Sequence, residues 1–208
     1  MTIVREPVAC LVDPFAGRMS GNTGRYDKRL SDLAGVYENA DAHEALVKSL
    51  NDPVVYSVED FRPGTHAGDL NYGVTRMNPG RVGREFFLTR GHIHAKADRP
   101  EIYYGQSGHG LMQLESPEGE TRIVEITAQT ICYVPPYWIH RSINIGETDL
   151  VMVFAYPSDS GQDYSLIEKS NGMRHRVMSS GNGWELVDNA RYNPRTGEQV
   201  AALMKNNP

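Results

Sequence analysis

The chain is poor in cysteine, has no long apolar run and carries no surplus of positive charge, and each shortage closes off a class of protein. Cys10 and Cys132 are the two cysteines, far apart in the sequence, so no disulfide framework is expected and a reducing, cytoplasmic setting fits best. No apolar stretch approaches the ~18 residues of a membrane span, and the first residues lack the basic start and apolar stretch of a signal peptide. A soluble protein without a membrane partner is the expectation. Lys and Arg total 21 against 26 Asp and Glu, giving a net charge of −5. Such a chain exerts no long-range pull on polyanions, which argues against nucleic acid as a partner, and any phosphate group it binds must be held locally. Internal repeats and low-complexity tracts are absent as well.

With 208 residues the chain can bury the core of one substantial domain. Residues 1 to about 35 carry Gly, Pro and Asp signals without a sustained period, and an extended arm lying on the main body is expected there. Ala42, Leu46, Val47 and Leu50 then stand at helical spacing, with capping residues before them and Asp52-Pro53 after them, so the one long helix is placed here. From Val54 the pattern changes to short β-rich runs punctuated by turns. These runs are Val54 to Val58, Leu70 to Met77, Glu85 to Arg90, Ile102 to Gln106, Gly110 to Glu115, Thr121 to Ile126, Ile131 to Val134, Ile139 to Ile143 and Leu150 to Tyr156. That succession predicts a mainly β fold, an antiparallel sandwich or barrel. Two weaker strands, near Met173 to Met178 and Trp184 to Val187, precede a polar tail. The expected division is an N-terminal arm and helix (1–52), a barrel (53–165) and a C-terminal extension (166–208), all within one structural domain.

The chemistry concentrates between Gly91 and Glu101. His92 and His94 are two apart, so in an extended segment both imidazoles face the same way. Six residues separate His94 from Glu101, enough for a turn through Asp98, Arg99 and Pro100 to bring a carboxylate beside the imidazoles. His140 follows a proline pair in a second apolar run and completes the set. Three neutral nitrogens and one carboxylate oxygen suit a divalent transition metal. The plainer alternative makes Glu101 an ion-pair partner of Lys96 or Arg99. His43, His66 and His175, taken singly, read as surface or hydrogen-bonded core residues, and His109, in a Gly-His-Gly turn, as exposed. Alternation along extended strands turns Arg90 and Arg141 away from the ligands, as surface or interface charges.

Two histidines, a later carboxylate and a histidine on a second segment form the metal pattern of cupin barrels. The run from Thr89 to Tyr103, with its longer gap before the glutamate, followed by Gly108-His-Gly110, resembles the cupin-type phosphoglucose isomerases first recognised in archaea. So does the second segment, Tyr133 to Gly146. Asp52 to Tyr56, Gly68 to Tyr72, Pro79 to Phe87 and Asp163-Tyr164 are similar too, which extends the likeness over residues 50 to 165. The resemblance implies a cupin (jelly-roll-like) barrel in a homodimer, with one divalent metal ion per subunit on His92, His94, Glu101 and His140. Fe2+ comes first, and Mn2+, Ni2+ or Zn2+ are alternatives. It implies a sugar phosphate as substrate, with Thr75, Thr89 and the Gly91 amide around the phosphate and Tyr56, Tyr103, Tyr156 and Tyr164 along the sugar. Two positions differ from the pattern: Gln162 stands where a histidine is expected, and Ala128-Gln129 replaces a Pro-Gly turn.

The implied reaction interconverts glucose 6-phosphate and fructose 6-phosphate in glycolysis and gluconeogenesis. Hydrogen must move between C2 and C1 while the neighbouring oxygens are polarised, by proton transfer through an enediol or by a hydride shift. In a proton-transfer route Glu101 is the candidate base. An iron-dependent cupin oxygenase and a non-catalytic sugar-phosphate binder are the alternatives.

Overall fold

The apolar and polar alternation that begins at Val54 folds into antiparallel strands, and the fold is mainly β. The computed structural model describes residues 6–181 and 183–205. A small hairpin pairs β1 (Val12–Asp13) with β2 (Arg18–Met19), and β3 (Gly24–Arg29) follows. Helix α1 (Ala40–Ser49) comes next, its first turn capped by Asn39, whose side-chain oxygen accepts the Ala42 N–H at 2.9 Å. Asn51 and Asp52, both with positive φ, turn the chain into β4 (Val54–Phe61).

β5 (Leu70–Met77), β6 (Arg81–Val82) and β7 (Glu85–Phe86) lead to the segment that carries His92 and His94. Beyond it run β8 (Glu101–Ser107), β9 (His109–Glu115), β10 (Thr121–Thr127), β11 (Ile131–Val134), β12 (Ile139–Asn144) and β13 (Leu150–Pro157). A short helix α2 (Ser165–Lys169), the hairpin of β14 (His175–Ser180) and β15 (Gly183–Asp188), and helix α3 (Gly197–Lys205) complete the chain.

A six-stranded sheet in the order β11-β8-β13-β5-β4-β3 is accompanied by a three-stranded sheet, β10-β9-β12. Their apolar side chains share one core, in which Val55, Met77, Tyr103 and Met152 of the larger sheet join Leu111, Leu114, Ile126 and Ile143 of the smaller. Close packing of two inner faces is what the alternating pattern encodes. A third sheet, β15-β14-β7-β6, fastens the C-terminal hairpin to the body.

Three expectations need correction. Residues 24–29 are more than an arm lying on the body, because β3 pairs with β4 as the edge strand of the large sheet. Its charged sequence hides it: an edge strand is held by backbone hydrogen bonds and needs little apolar alternation. The run from Glu85 to Arg90 is a strand only at Glu85–Phe86, with a single further bridge from Leu88 to Ile143. The polar tail contains α3, begun by a reciprocal cap in which Thr196 Oγ1 accepts the Gln199 N–H and Gln199 Oε1 accepts the Thr196 N–H. Among the described residues no helix is long and apolar enough to cross a membrane.

Candidate metal centre

Three chain segments build the site. Glu101 is the first residue of β8 in the large sheet, and His140 lies in β12 of the small one. The segment carrying His92 and His94 is threaded between them by single bridges. His92 and His140 exchange both backbone hydrogen bonds, at 3.1 and 2.9 Å, while Ile93 does the same with Asp163 at 3.1 and 2.8 Å. Extended backbone at Ile93 sends His92 and His94 to one side, and the four ligand atoms of His92, His94, Glu101 and His140 all lie within 4.8 Å of one another. These four residues could hold a metal ion.

The hydrogen-bond pattern around the imidazoles agrees with that capacity. His94 Nδ1 lies 2.7 Å from the Arg99 carbonyl oxygen and His140 Nδ1 lies 3.1 Å from that of Trp138. A carbonyl only accepts, so each Nδ1 carries the proton and, in the neutral ring, each Nε2 presents its lone pair. Those Nε2 atoms stand 3.1 and 3.0 Å from the same oxygen, Glu101 Oε2. Lone pairs facing one another at such distances require a positive charge among them, a proton or a metal cation. His92 Nε2 is buried and has no hydrogen-bond partner at all. Burial, reinforced by the neighbouring imidazole of His140, holds the His92 imidazole well below its ordinary pKa, in the neutral form that ligates metals. Burial alone would raise the Glu101 carboxyl, but the positive charge required between it and the Nε2 atoms of His140 and His94 outweighs burial, and the group sits well below the usual range. The donor set therefore fits a divalent transition metal. Lys96 and Arg99 do not compete for Glu101, since both pair with Asp159, at 2.8 and 2.9 Å.

A cavity opens from His92, Glu101 and His140, and its walls include Tyr56, Thr75, Thr89, Gly91, Tyr103, Tyr156 and Tyr164. Thr89 Oγ1 accepts the Ser142 N–H at 3.0 Å, so its own proton is left to donate to another acceptor. Burial raises the pKa of Tyr56, Tyr103, Tyr156 and Tyr164 alike, which keeps these hydroxyls protonated and able to donate.

A profile described as glucose-6-phosphate isomerase (GPI) matches residues 27–195. The chain belongs to the glucose-6-phosphate isomerase family. Putative glucose-6-phosphate isomerase 1 of Rhizobium meliloti (strain 1021) is 58% identical over 204 residues, covering 98% of this chain and 95% of that protein. Glucose-6-phosphate isomerase of Thermococcus gammatolerans is 42% identical over 188 residues, covering 90% of this chain and 97% of that protein. Among solved structures, an oxalate oxidase in complex with the substrate analogue glycolate is 18% identical and covers 53% of this chain and 55% of its own, with a TM-score of 0.45.

Within this family member the cavity also takes residues that the sequence pattern did not single out. Tyr26 reaches it from β3, and Asp60 and Arg62 from the end of β4. No alternation marks β3, which is why Tyr26 went unseen. Arg90 and Arg141 line the cavity as well. Arg141 is not a surface charge: it is 5% exposed, because β12 is covered on both faces. Burial lowers its pKa to about 10, and it stays charged at neutral pH. Gln162 is in the wall too and accepts the Tyr164 hydroxyl proton at 2.5 Å. His43, by contrast, is a buried core histidine, with Nε2 2.7 Å from the Leu30 carbonyl.

Proposed function

We propose that this chain interconverts glucose 6-phosphate and fructose 6-phosphate with one divalent metal ion bound by His92, His94, Glu101 and His140. The observation that carries the reading is the convergence of these four ligand atoms within 4.8 Å at the wall of a cavity rich in hydroxyl groups. When bound, the cation supplies Lewis acidity toward the oxygens at C1 and C2 of the open-chain sugar. Thr75, Thr89 and the Gly91 amide hold the phosphate, with Thr89 donating the proton that its bond to Ser142 leaves free. Tyr56 and Tyr156 orient the sugar by donating to its oxygens, while Tyr103 and Tyr164, whose single protons go to Glu101 and Gln162, accept from its hydroxyls.

Glu101, kept deprotonated by its histidine neighbours, takes the proton between C2 and C1 in the enediol route. Gln162 cannot relay a proton and serves to bind and to hold the Tyr164 hydroxyl. Fe2+ is the first choice of metal, ahead of Mn2+, Ni2+ and Zn2+. The working form is a cytoplasmic homodimer acting in glycolysis and gluconeogenesis.

The test incubates chelated and metal-restored protein with fructose 6-phosphate. Metal-dependent formation of glucose 6-phosphate is expected, and its absence with every metal would remove the reading. Binding of 6-phosphogluconate without turnover would point instead to a sugar-phosphate binder, and oxygen uptake with an organic substrate to an oxygenase. Metal analysis of protein purified without added ions identifies the cation, and sedimentation the dimer.

A further inference from the structure

A second cleft, of about 310 Å3, lies beside Arg90 and Gly91, and none of the candidate metal ligands lines it. Three arginines from distant parts of the chain line it, Arg90, Arg141 and Arg191, together with Gly35, Gly172 and a single carboxylate, Glu168. Glu168 is already engaged by Arg90, which also stacks over the Tyr164 ring at 5.3 Å. Arg191 is exposed and donates from Nη2 to the Tyr37 carbonyl at 3.0 Å.

Arg141 is the informative member. Its side chain is buried, its Nη2 makes one long bond of 3.3 Å to the Arg90 carbonyl, and its Nε has no partner. The carboxylates whose field reaches it, Glu85 and Glu115, are each bonded to another arginine, Arg176 and Arg195. Among the described residues, then, no carboxylate pairs with this buried guanidinium. A buried cation without a countercharge is strongly unfavourable, and the countercharge is free to come from a ligand.

We propose that this cleft is a second anion site, taking inorganic phosphate or a small phosphate monoester between Arg90, Arg141 and Arg191, and that it weakens sugar-phosphate binding when filled. Guanidinium forks match phosphate oxygens in geometry as well as charge. The coupling follows from shared walls, since Arg90, Gly91, Arg141 and Tyr164 line both this cleft and the metal-centred cavity. Two phosphates drawing on one buried guanidinium repel each other across it, and linkage makes the weakening mutual.

The kinetic part rests on the isomerase reading, and the binding part does not. Holoprotein titrated with inorganic phosphate should bind two per chain, and R191Q one, because Arg191 lines only the second cleft. R191K should restore the second. In the isomerase assay, phosphate should raise the KM for fructose 6-phosphate, with kcat unchanged, above the straight competition line of R191Q by an increment that levels off at about 4 times the starting value or more. R191Q should keep its basal activity and show only ordinary, unsaturating competition. One phosphate per chain in both proteins, or the same unlimited competition in both, overturns the proposal. If neither protein isomerises, the stoichiometry alone decides for or against the second site while the isomerase reading fails separately.

Discussion

At the residue scale the glycine that bears most directly on the site is Gly91. Its φ is +80°, and a Cβ there would stand 3.1 Å from Arg141 Nε, 3.2 Å from Arg141 Cβ and 3.3 Å from the His140 carbonyl oxygen. Gly91→Ala therefore meets both left-handed backbone strain, about 1–2 kcal/mol, and neighbours that must yield. Because His92 is bonded to His140 through both backbone groups, any displacement of residue 91 is passed to two of the candidate ligands. The variant should melt about 2–8 °C lower and bind its metal more weakly, read by thermal unfolding and a chelator-competition titration. Asp159 acts on the other histidine. Its carboxylate accepts from Lys96 and Arg99, and the Arg99 carbonyl in turn fixes His94 Nδ1 at 2.7 Å. Hydrogen bonding to Arg99 first, then Lys96, holds Asp159 well below the ordinary carboxyl pKa. A carboxyl depressed on folding contributes stability that is present above its unfolded pKa of about 4 and is lost as pH falls through the lower folded value. Asp159→Asn should therefore be destabilised relative to the native protein by a constant margin above about pH 5, with the gap narrowing below pH ~4. Urea titrations across that range measure it, and a pH-independent gap would dismiss the buttress.

Besides the third sheet, buried arginines attach the C-terminal elements. Arg195 pairs with Glu115 of β9 and donates through Nη1 to the carbonyls of Ser116 and Pro117, at 3.2 and 3.0 Å. Arg176 of β14 pairs with Glu85 at 2.8 Å and donates to the Val36 carbonyl at 3.0 Å. Removing one member strands the other charge in a dry environment, so Arg195→Ala should cost about 3–5 kcal/mol. Arg195→Met combined with Glu115→Leu should cost far less, because no charge is left unpaired; denaturant midpoints of the two proteins make the comparison. These clasps were invisible in the sequence, since an arginine codes no period and its partner lies about eighty residues away. Apart from the two-residue β6 and the extent of β7, the strands from β4 to β13 were legible because apolar alternation is local. β3 was not, because its pairing with β4 is backbone to backbone and its side chains are charged. The Thr196–Gln199 cap before α3 was a readable signal that the polarity of the tail concealed. Arg141 shows the limit of alternation: the pattern assigns it to the face opposite His140, but only packing determines that this face is covered.

For the whole molecule, the convergence of the four candidate metal ligands is a tertiary feature. They come from two sheets and the segment threaded between them, and their spacing was legible because each motif is short while their convergence depends on both sheets being in place. An unfolded chain cannot bring these side chains together, so metal binding is linked to folding. A cation present at a hundred times its dissociation constant should add about 2.7 kcal/mol to stability, or about 5–11 °C to the melting temperature. Chelation should reverse the gain. His140→Ala separates this linkage from ordinary packing. The substitution deletes a ligand and leaves a cavity at a buried position, so it should lower the melting temperature of the metal-free protein modestly and abolish most of the increment that metal confers. The measurement is a pair of melting curves, with and without Fe2+ or Mn2+ under anaerobic conditions, for each protein. Equal increments in the two proteins would mean that the ion binds elsewhere, and no increment in the native protein would mean that these side chains hold no ion.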